Sequence, residues 1–289
     1  MDRPGHEGEG VPEAVRVRRV LVALDSSGHS RQALVAAAHL AGLLEAELEG
    51  VFVEEDAWYG VGSLGTARVI RSYTGTAGRL EAGEFRRELA VVGRRLARLL
   101  EEISTRRKLR WHFRVERGRA DKVITGAARE VDLVTLGRTG LSPGKAGRLG
   151  RTARALMEES ETPLLLLQEG MKLGQRMVLV YDGTPGSERG LRMASRLVTR
   201  QGTPLEVVVP SPPGPAADEL VGRLKSSIGG PPGDGAKIHL IPNLTADDLA
   251  RIIGVRADAL VLASRGSPLF HADRRGETLL ALRCPLLLF

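Results

Sequence analysis

Arg18-Arg19-Val20-Leu21-Val22-Ala23-Leu24-Asp25 and Gln175-Arg176-Met177-Val178-Leu179-Val180-Tyr181-Asp182 are the two stretches that decide the architecture of this chain. Each is an apolar run closed by an aspartate. Each then passes through a short turn, Ser26-Ser27 in one and Gly183-Thr184 in the other, into a helical pattern. A short apolar run bounded by turn residues reads as a buried strand entering a helix. The duplication recurs downstream, where Asp132-Leu133-Val134-Thr135-Leu136-Gly137 is matched by Asp258-Ala259-Leu260-Val261-Leu262-Ala263. Each half also finishes on an apolar strand after a proline, at 163–167 and 285–289. Two blocks repeated in the same order mark one domain present twice.

Between these blocks the first half alternates strands and helices. Ala33, Leu34, Ala37, Leu40, Ala41 and Leu44 share one helical face, and Val51-Phe52-Val53 belongs to a second strand. Phe85, Leu89, Val92, Leu96, Leu99 and Ile103 form the stripe of a long helix, and Trp111 to Val115 is a third strand. Gly118 then turns the chain into a helix holding Ile124 and Ala127. Alternation of this kind gives a mainly parallel sheet covered on both faces. The fold class is therefore α/β, two tandem open parallel-sheet domains. The polar stretch 168–175 is the junction, giving a disordered lead-in over 1–15, a first domain over 16–170 and a smaller second one, with shorter helices, over 171–289. Residues 56–80 form an insert that reads equally as a lid or a surface loop.

Composition narrows the function. No stretch reaches the roughly 20 apolar residues of a membrane helix, and residues 1–15 lack the apolar core of a secretory signal. The chain has one cysteine, Cys284, which excludes an internal disulfide framework and a multi-cysteine metal site. The expected address is the cytoplasm. A formal net charge of +7 could suit nucleic acid, but aromatics are only 3% of the chain and stacking platforms for bases are correspondingly scarce.

Chemistry concentrates after the fourth strand. Gly137-Arg138-Thr139-Gly140 is followed, nine residues later, by Gly150-Arg151-Thr152. Gly137 and Gly140 allow close backbone approach to a ligand, and Gly150 opens a helix whose N-terminal amides favour a phosphate. Lys145, Arg148 and Arg151 add positive charge. In an open α/β sheet, ligands bind at the carboxyl ends of the strands where the strand order reverses. Asp25 and Gly137 end the two strands expected to flank that point. Asp25 read alone is a helix cap. Together the two features form a nucleotide-type site.

This combination resembles the universal stress protein family in its tandem-domain form, whose ATP-binding members carry G-x2-G-x9-G-(S/T) after the fourth strand and an aspartate after the first. The resemblance implies a five-stranded sheet of order 3-2-1-4-5 in each half. It further implies a universal-stress-type nucleotide domain over 16–170 with a degenerate copy over 171–289, and an adenine contact from the backbone of Val53. The implied site is Asp25, Val53, Gly137, Thr139, Gly140, Gly150, Arg151 and Thr152, with ATP as ligand and Mg2+ as its companion ion. It also implies pairing through the fifth strands, an intramolecular pseudo-dimer that leaves room for a further homodimer. Arg151 stands where the family has Ser or Thr. Its guanidinium could replace the lost hydroxyl with a charge-assisted bond or point away.

Matching the halves on the small residue that ends the fourth strand pairs Gly137 with Ala263 and Gly140 with Gly266. Gly276 and Glu277 then follow in the positions of Gly150 and Arg151. A Cβ at Ala263 and a carboxylate at Glu277 oppose phosphate there, so nucleotide is expected in the first half only. The six histidines show no metal or triad spacing, no Walker-type lysine motif is present, and no base is placed to activate water. Three readings follow. One is an ATP-binding stress-response regulator, one a nucleotide-free interaction protein that keeps the fold, and one a slow ATPase.

Overall fold

The computed structural model describes residues 17–25, 28–56, 68–70, 77–79, 82–138, 149–168, 170–171, 173–174, 176–227, 236–254, 259–271 and 282–289. The lead-in 1–15, the sequence Thr139 to Arg148 and the stretch around Gly276 and Glu277 lie outside them, as does most of the insert 56–80. Half one contains β1 (Arg19–Leu24), α1 (Gly28–Leu44), β2 (Glu47–Glu55), a hairpin of β3 (Arg68–Ile70) and β4 (Ala77–Arg79), α2 (Ala82–Arg106) and β5 (Trp111–Gly118). It continues through α3 (Ala120–Ala128), β6 (Leu133–Gly137), α4 (Arg151–Glu159) and β7 (Leu164–Leu167). Half two contains β8 (Arg176–Val180), α5 (Pro185–Gln201), β9 (Leu205–Val209), α6 (Pro215–Ser227) and β10 (Lys237–Leu240). It ends through α7 (Ala246–Ile253), β11 (Ala259–Ala263), α8 (Pro268–His271) and β12 (Leu286–Leu288).

Among the described residues, all the strands except the β3–β4 hairpin join one ten-stranded sheet in the order β10-β9-β8-β11-β12-β7-β6-β1-β2-β5. Within each half this is the order 3-2-1-4-5, all parallel. The halves meet where β7 and β12 pair antiparallel, with Leu164, Leu165 and Leu166 opposite Leu288, Leu287 and Leu286. These strands are buried at every position, as expected for strands covered on both faces. Unpaired, each would present an apolar edge, which invites pairing with another strand. Each finds its partner in the other.

Side chains alternate between the two faces of this sheet, and each face carries one core that runs through both halves. Val20, Val22, Leu165, Leu179 and Leu287 lie on the first. Leu21, Val134, Leu164, Val178 and Leu286 lie on the second. On the first face α1 buries Ala33, Leu34, Ala37, Leu40, Ala41 and Leu44, the stripe expected from sequence. It meets α5 across the seam, where Arg196 donates to the Leu44 carbonyl at 2.9 Å and Arg200 pairs with Glu45 at 2.6 Å. His39 sits in this junction between Gln201 and Arg107. Burial, reinforced by the Arg107 charge, lowers its pKa, as befits a packed histidine.

The expectation of shorter helices in half two needs correction at one element. The equivalents α1 and α5 are both 17 residues long. The shortening lies in α6, 13 residues against 25 for α2, and in α8, 4 residues against 9 for α4.

The ladders also correct the matching of the halves. Leu21 faces Val134 as Val178 faces Val261. Val134 donates to the Pro163 carbonyl as Val261 donates to that of Pro285. Arg138 donates its backbone N–H to Leu167 as Arg265 donates to Phe289. The true counterparts of Gly137 and Arg138 are thus Ser264 and Arg265, one residue beyond the match made on the small residues Gly137 and Ala263. With that registry Leu165 and Leu287 are equivalent and directly opposed, so a pseudo-twofold axis passes between them.

Candidate functional site

In each half the chain runs from the first strand to the second on one side and from the fourth to the fifth on the other, so the order reverses between β1 and β6. The β1–β2 ladder continues to Leu24 opposite Phe52. The β1–β6 ladder stops at Val22 opposite Thr135, although β6 runs on to Gly137. Past those points β1 and β6 are no longer laddered to each other. Asp25 follows β1, Val53 lies one residue beyond the last β1–β2 pair, and Gly137 closes β6. These three residues from the sequence-derived set therefore share the carboxyl end of the sheet at its switch point, where ligands bind in such folds.

Asp25 is partly exposed, and its backbone N–H donates to the buried Ser30 Oγ at 2.9 Å. The Val53 side chain is buried in the second-face core, which leaves its backbone as the feature available to a ligand. Gly150 is the N-cap of α4, with extended dihedrals and no side-chain cap. Its own N–H donates to the Arg138 carbonyl at 2.7 Å, so the two ends of the glycine-bearing segment are tied together. The first turn of any helix lacks intrahelical acceptors for its N–H groups. In α4 that turn begins with Arg151 and Thr152. Thr139 and Gly140 lie outside the described residues.

Arg151 is taken up by carboxylates. Its Nη2 donates to Glu55 Oε1 at 2.9 Å, and its Nε lies 3.8 Å from Asp121 Oδ2. Glu55 ends β2 and also accepts from the Ala120 N–H at 3.4 Å. Asp121, buried in the first turn of α3, is gripped by Arg119 through two bonds of 3.3 and 2.7 Å. The Arg119 hydrogen bonds, with help from the Arg151 charge, hold the Asp121 carboxyl below the usual range against the cost of burial. A sequence reading of Arg151 as a phosphate ligand had no means to see Glu55, 96 positions away in the chain.

The same end of half two is built differently. Asp182 Oδ1 accepts from the Thr184 N–H at 3.1 Å and from its hydroxyl at 2.6 Å, and Thr184 caps α5 by accepting from Ser187. The other oxygen, Oδ2, is buried with no hydrogen-bond partner among the described residues. Ser264, in the place of Gly137, packs against Gly186 in the first turn of α5. A Cβ on Gly186 would meet the Ser264 hydroxyl, lie 2.9 Å from its Cβ and 3.2 Å from the Phe289 carbonyl. Ser267, three residues on, is fully buried and closes a turn back to the Ser264 carbonyl at 3.1 Å. Alongside, Tyr181 donates to Glu188 at 2.5 Å and Arg223 of α6 pairs with the same carboxylate at 2.8 Å. Burial, the Glu188 hydrogen bond and its charge push the Tyr181 phenol up to about 12. At the end of the fourth strand half two thus carries a side chain, Ser264, where half one has Gly137.

Two arginines, Arg138 fully buried and Arg265 partly so, went unnoticed in the sequence. Arg138 is wholly buried, and its guanidinium donates to the carbonyls of Leu282 and Cys284 in half two. Its counterpart Arg265 reaches the opposite way, to Leu156 at 3.1 Å and to Thr162 in half one. Thr162 and Cys284 are equivalent positions, each two residues before a fifth strand, so the two arginines form a twofold-related clasp. Burial pulls both guanidinium groups down to about 10, still cationic at neutral pH. Alignment on Arg138 and Arg265, instead of on Gly137 and Ala263, would have exposed the pair.

The profile of the universal stress protein family matches residues 16–168, more than half of the chain. The chain belongs to the universal stress protein family. Among solved structures, a universal stress protein from Archaeoglobus fulgidus superposes with a TM-score of 0.67 at 16% identity, over 96% of this chain and 98% of that one. A putative universal stress protein from Pseudomonas aeruginosa gives 0.55 at 15% identity, over 96% and 94%. At these identities the likeness is one of fold, and it extends over both halves. No curated protein matches the chain. Among the described residues of this family member, no helix is long and apolar enough to cross a membrane.

Proposed function

We propose that half one of this universal stress protein binds an adenine nucleotide, ATP with Mg2+, and that half two does not. The carrying observation is the contrast at one structural position. At the end of the fourth strand, half one offers Gly137 and a helix capped only by Gly150, whereas half two offers Ser264 packed on Gly186. Asp25 and the Val53 backbone form the base and ribose side of the pocket. Gly137, Thr139, Gly140, Gly150 and Thr152 form the phosphate side, where α4 supplies amides and a favourable dipole. Arg151 is a wall of the pocket, and Glu55 and Asp121 reduce the charge it offers to phosphate. The protein acts as a cytoplasmic regulatory module in the stress response, with 16–170 as the sensing domain and 171–289 as its degenerate partner.

The test is titration calorimetry with ATP, preceded by mass spectrometry of any ligand released from the purified protein. One nucleotide per chain is expected. Gly150→Asp retains the fold, because aspartate is a better N-cap than glycine. It sets a carboxylate beside the phosphates, which opposes binding by about 1 kcal/mol or more, roughly tenfold in affinity. Two equivalent sites per chain, or unaltered binding in Gly150→Asp, overturns the assignment. A nucleotide-free interaction protein is the second reading, favoured by the ties of Arg151 to Glu55 and Asp121. Absence of binding in the unaltered chain decides for it.

A further inference from the structure

Arg138 belongs to both halves at once. Its backbone is the first residue after β6 and makes both bonds that shape the start of the glycine-bearing segment. The N–H donates to Leu167 at 2.6 Å and the carbonyl accepts from Gly150 at 2.7 Å. Through the second bond it fixes where α4 begins, and hence where the helix amides point. Its side chain leaves half one altogether, with the guanidinium on the carbonyls of Leu282 and Cys284, 144 and 146 positions downstream.

The residue is 0% exposed. A buried cation held by carbonyl dipoles is costly to displace, and the two carbonyls would lose their donor if it moved. Two bonds in a fixed planar fork also define an orientation that a flexible ammonium cannot reproduce. The backbone of Arg138 can therefore shift only if the segment of half two that precedes β12 shifts with it.

We propose that Arg138 is a positioning residue through which half two holds the phosphate side of the half-one site in register, so that nucleotide binding and closure of the seam at Cys284 favour each other. This rests on the nucleotide reading of half one. Half two then serves as the brace for the other half. Coupling of this kind is reciprocal. Whatever affinity is lost by freeing Arg138 reappears as the amount by which nucleotide no longer tightens the seam.

Cys284 gives the readout. It is the only cysteine in the chain, it is buried, and burial pushes its thiol up to about 11. Reaction with a disulfide reagent such as DTNB therefore reports opening of the segment that Arg138 holds. Labelling is followed in the full chain with and without ATP at about 100 times its Kd, where binding to the closed state alone slows opening by up to about 100-fold. In the unaltered chain ATP is expected to slow labelling at least tenfold.

Arg138→Met should weaken ATP binding at least tenfold and abolish most of the protection, even at the same multiple of its own Kd. Arg196→Met is the control. It removes another arginine–carbonyl bond between the halves, to Leu44 at 2.9 Å, but one made between the helices α1 and α5 and not by the segment that follows β6. Its ATP affinity should stay within about twofold of the unaltered chain, a range expected for distant sites that do not couple. If Arg138→Met does not fold, Arg138→Lys retains the cation with a single reach and should show a smaller loss in the same two measurements.

ATP-independent labelling in the unaltered chain, with binding demonstrated by calorimetry, overturns the proposal alone. So does full protection of Arg138→Met at matched saturation, or an equal loss of affinity in Arg196→Met. No ATP binding in the unaltered chain removes the nucleotide reading itself, and the proposal with it.

Discussion

Half one and half two share a strand order, a register and a twofold seam, yet their crevices differ at a handful of side chains. In half one the end of the fourth strand is bare backbone, Gly137, and the following helix is capped by another glycine. In half two the same point carries Ser264 pressed against Gly186, and Ser267 closes the turn. Asp25 and Asp182 occupy the same position, but Thr184 takes up one oxygen of Asp182 for a turn and cap. A fold can therefore keep an aspartate at the end of its first strand in different surroundings, and the aspartate alone does not report binding. What distinguishes the halves at the end of the fourth strand is the absence of a Cβ at Gly137 and its presence at Ser264.

If the comparison is correct, the halves should respond equally at the seam and unequally at the crevices. The largest effect is expected at the pseudo-twofold axis. Leu165 and Leu287 are both fully buried, and Leu→Ala at either should cost about 2–5 kcal/mol by denaturant unfolding. The two losses should be similar. A loss at one position with none at the other would break the symmetry deduced from the ladders.

A smaller effect sharpens the crevice contrast. Gly186→Ala inserts a methyl against Ser264 and the Phe289 carbonyl, overpacking that should cost about 1–3 kcal/mol. Ser264→Gly in the same chain should restore part of the loss, because the two nearest contacts, with the Ser264 hydroxyl and Cβ, are then gone. Additive losses in the double variant would mean that Ser264 does not crowd position 186.

The smallest effect concerns Asp121, which lies beside the candidate site in half one. Its pKa is held low chiefly by the Arg119 hydrogen bonds. A depressed carboxyl contributes stability that is fully present above its unfolded pKa of about 3.9 and is lost as pH falls through the folded value. Asp121→Asn should therefore be less stable than the parent near neutrality, and the gap should narrow below about pH 4. A gap that persists unchanged at pH 3 would place the effect in packing and not in charge.

The fold was legible because its signals are local. Val20 to Asp25 and Met177 to Asp182 are runs bounded by turns, and the alternation of elements between them leaves few ways to build a sheet. The strand order and the contact between the fifth strands came from family resemblance and the unbroken leucines of 164–167. The registry between halves was harder to read. Gly137 and Ala263 are both small and both follow a leucine, so matching by residue type slipped by one. The strand ladders and the hydrogen bonds to Leu167 and Phe289 show that Ser264 is the counterpart of Gly137. The clasp was hidden for a related reason. An arginine beside glycines reads as solvent-exposed charge, and nothing local shows that carbonyls 144 residues away will receive it.

The seam between β7 and β12 joins two parts of a single chain, with only residues 168–175 between the end of β7 and the start of β8. A short tether of this kind keeps its two ends at a local concentration of order millimolar. Dilution cannot then separate the halves, and neither can exchange one for a stranger. Two identical copies that meet by diffusion must each be able to do everything. Two copies that are tied together can diverge, as Gly137 and Ser264 have at equivalent positions.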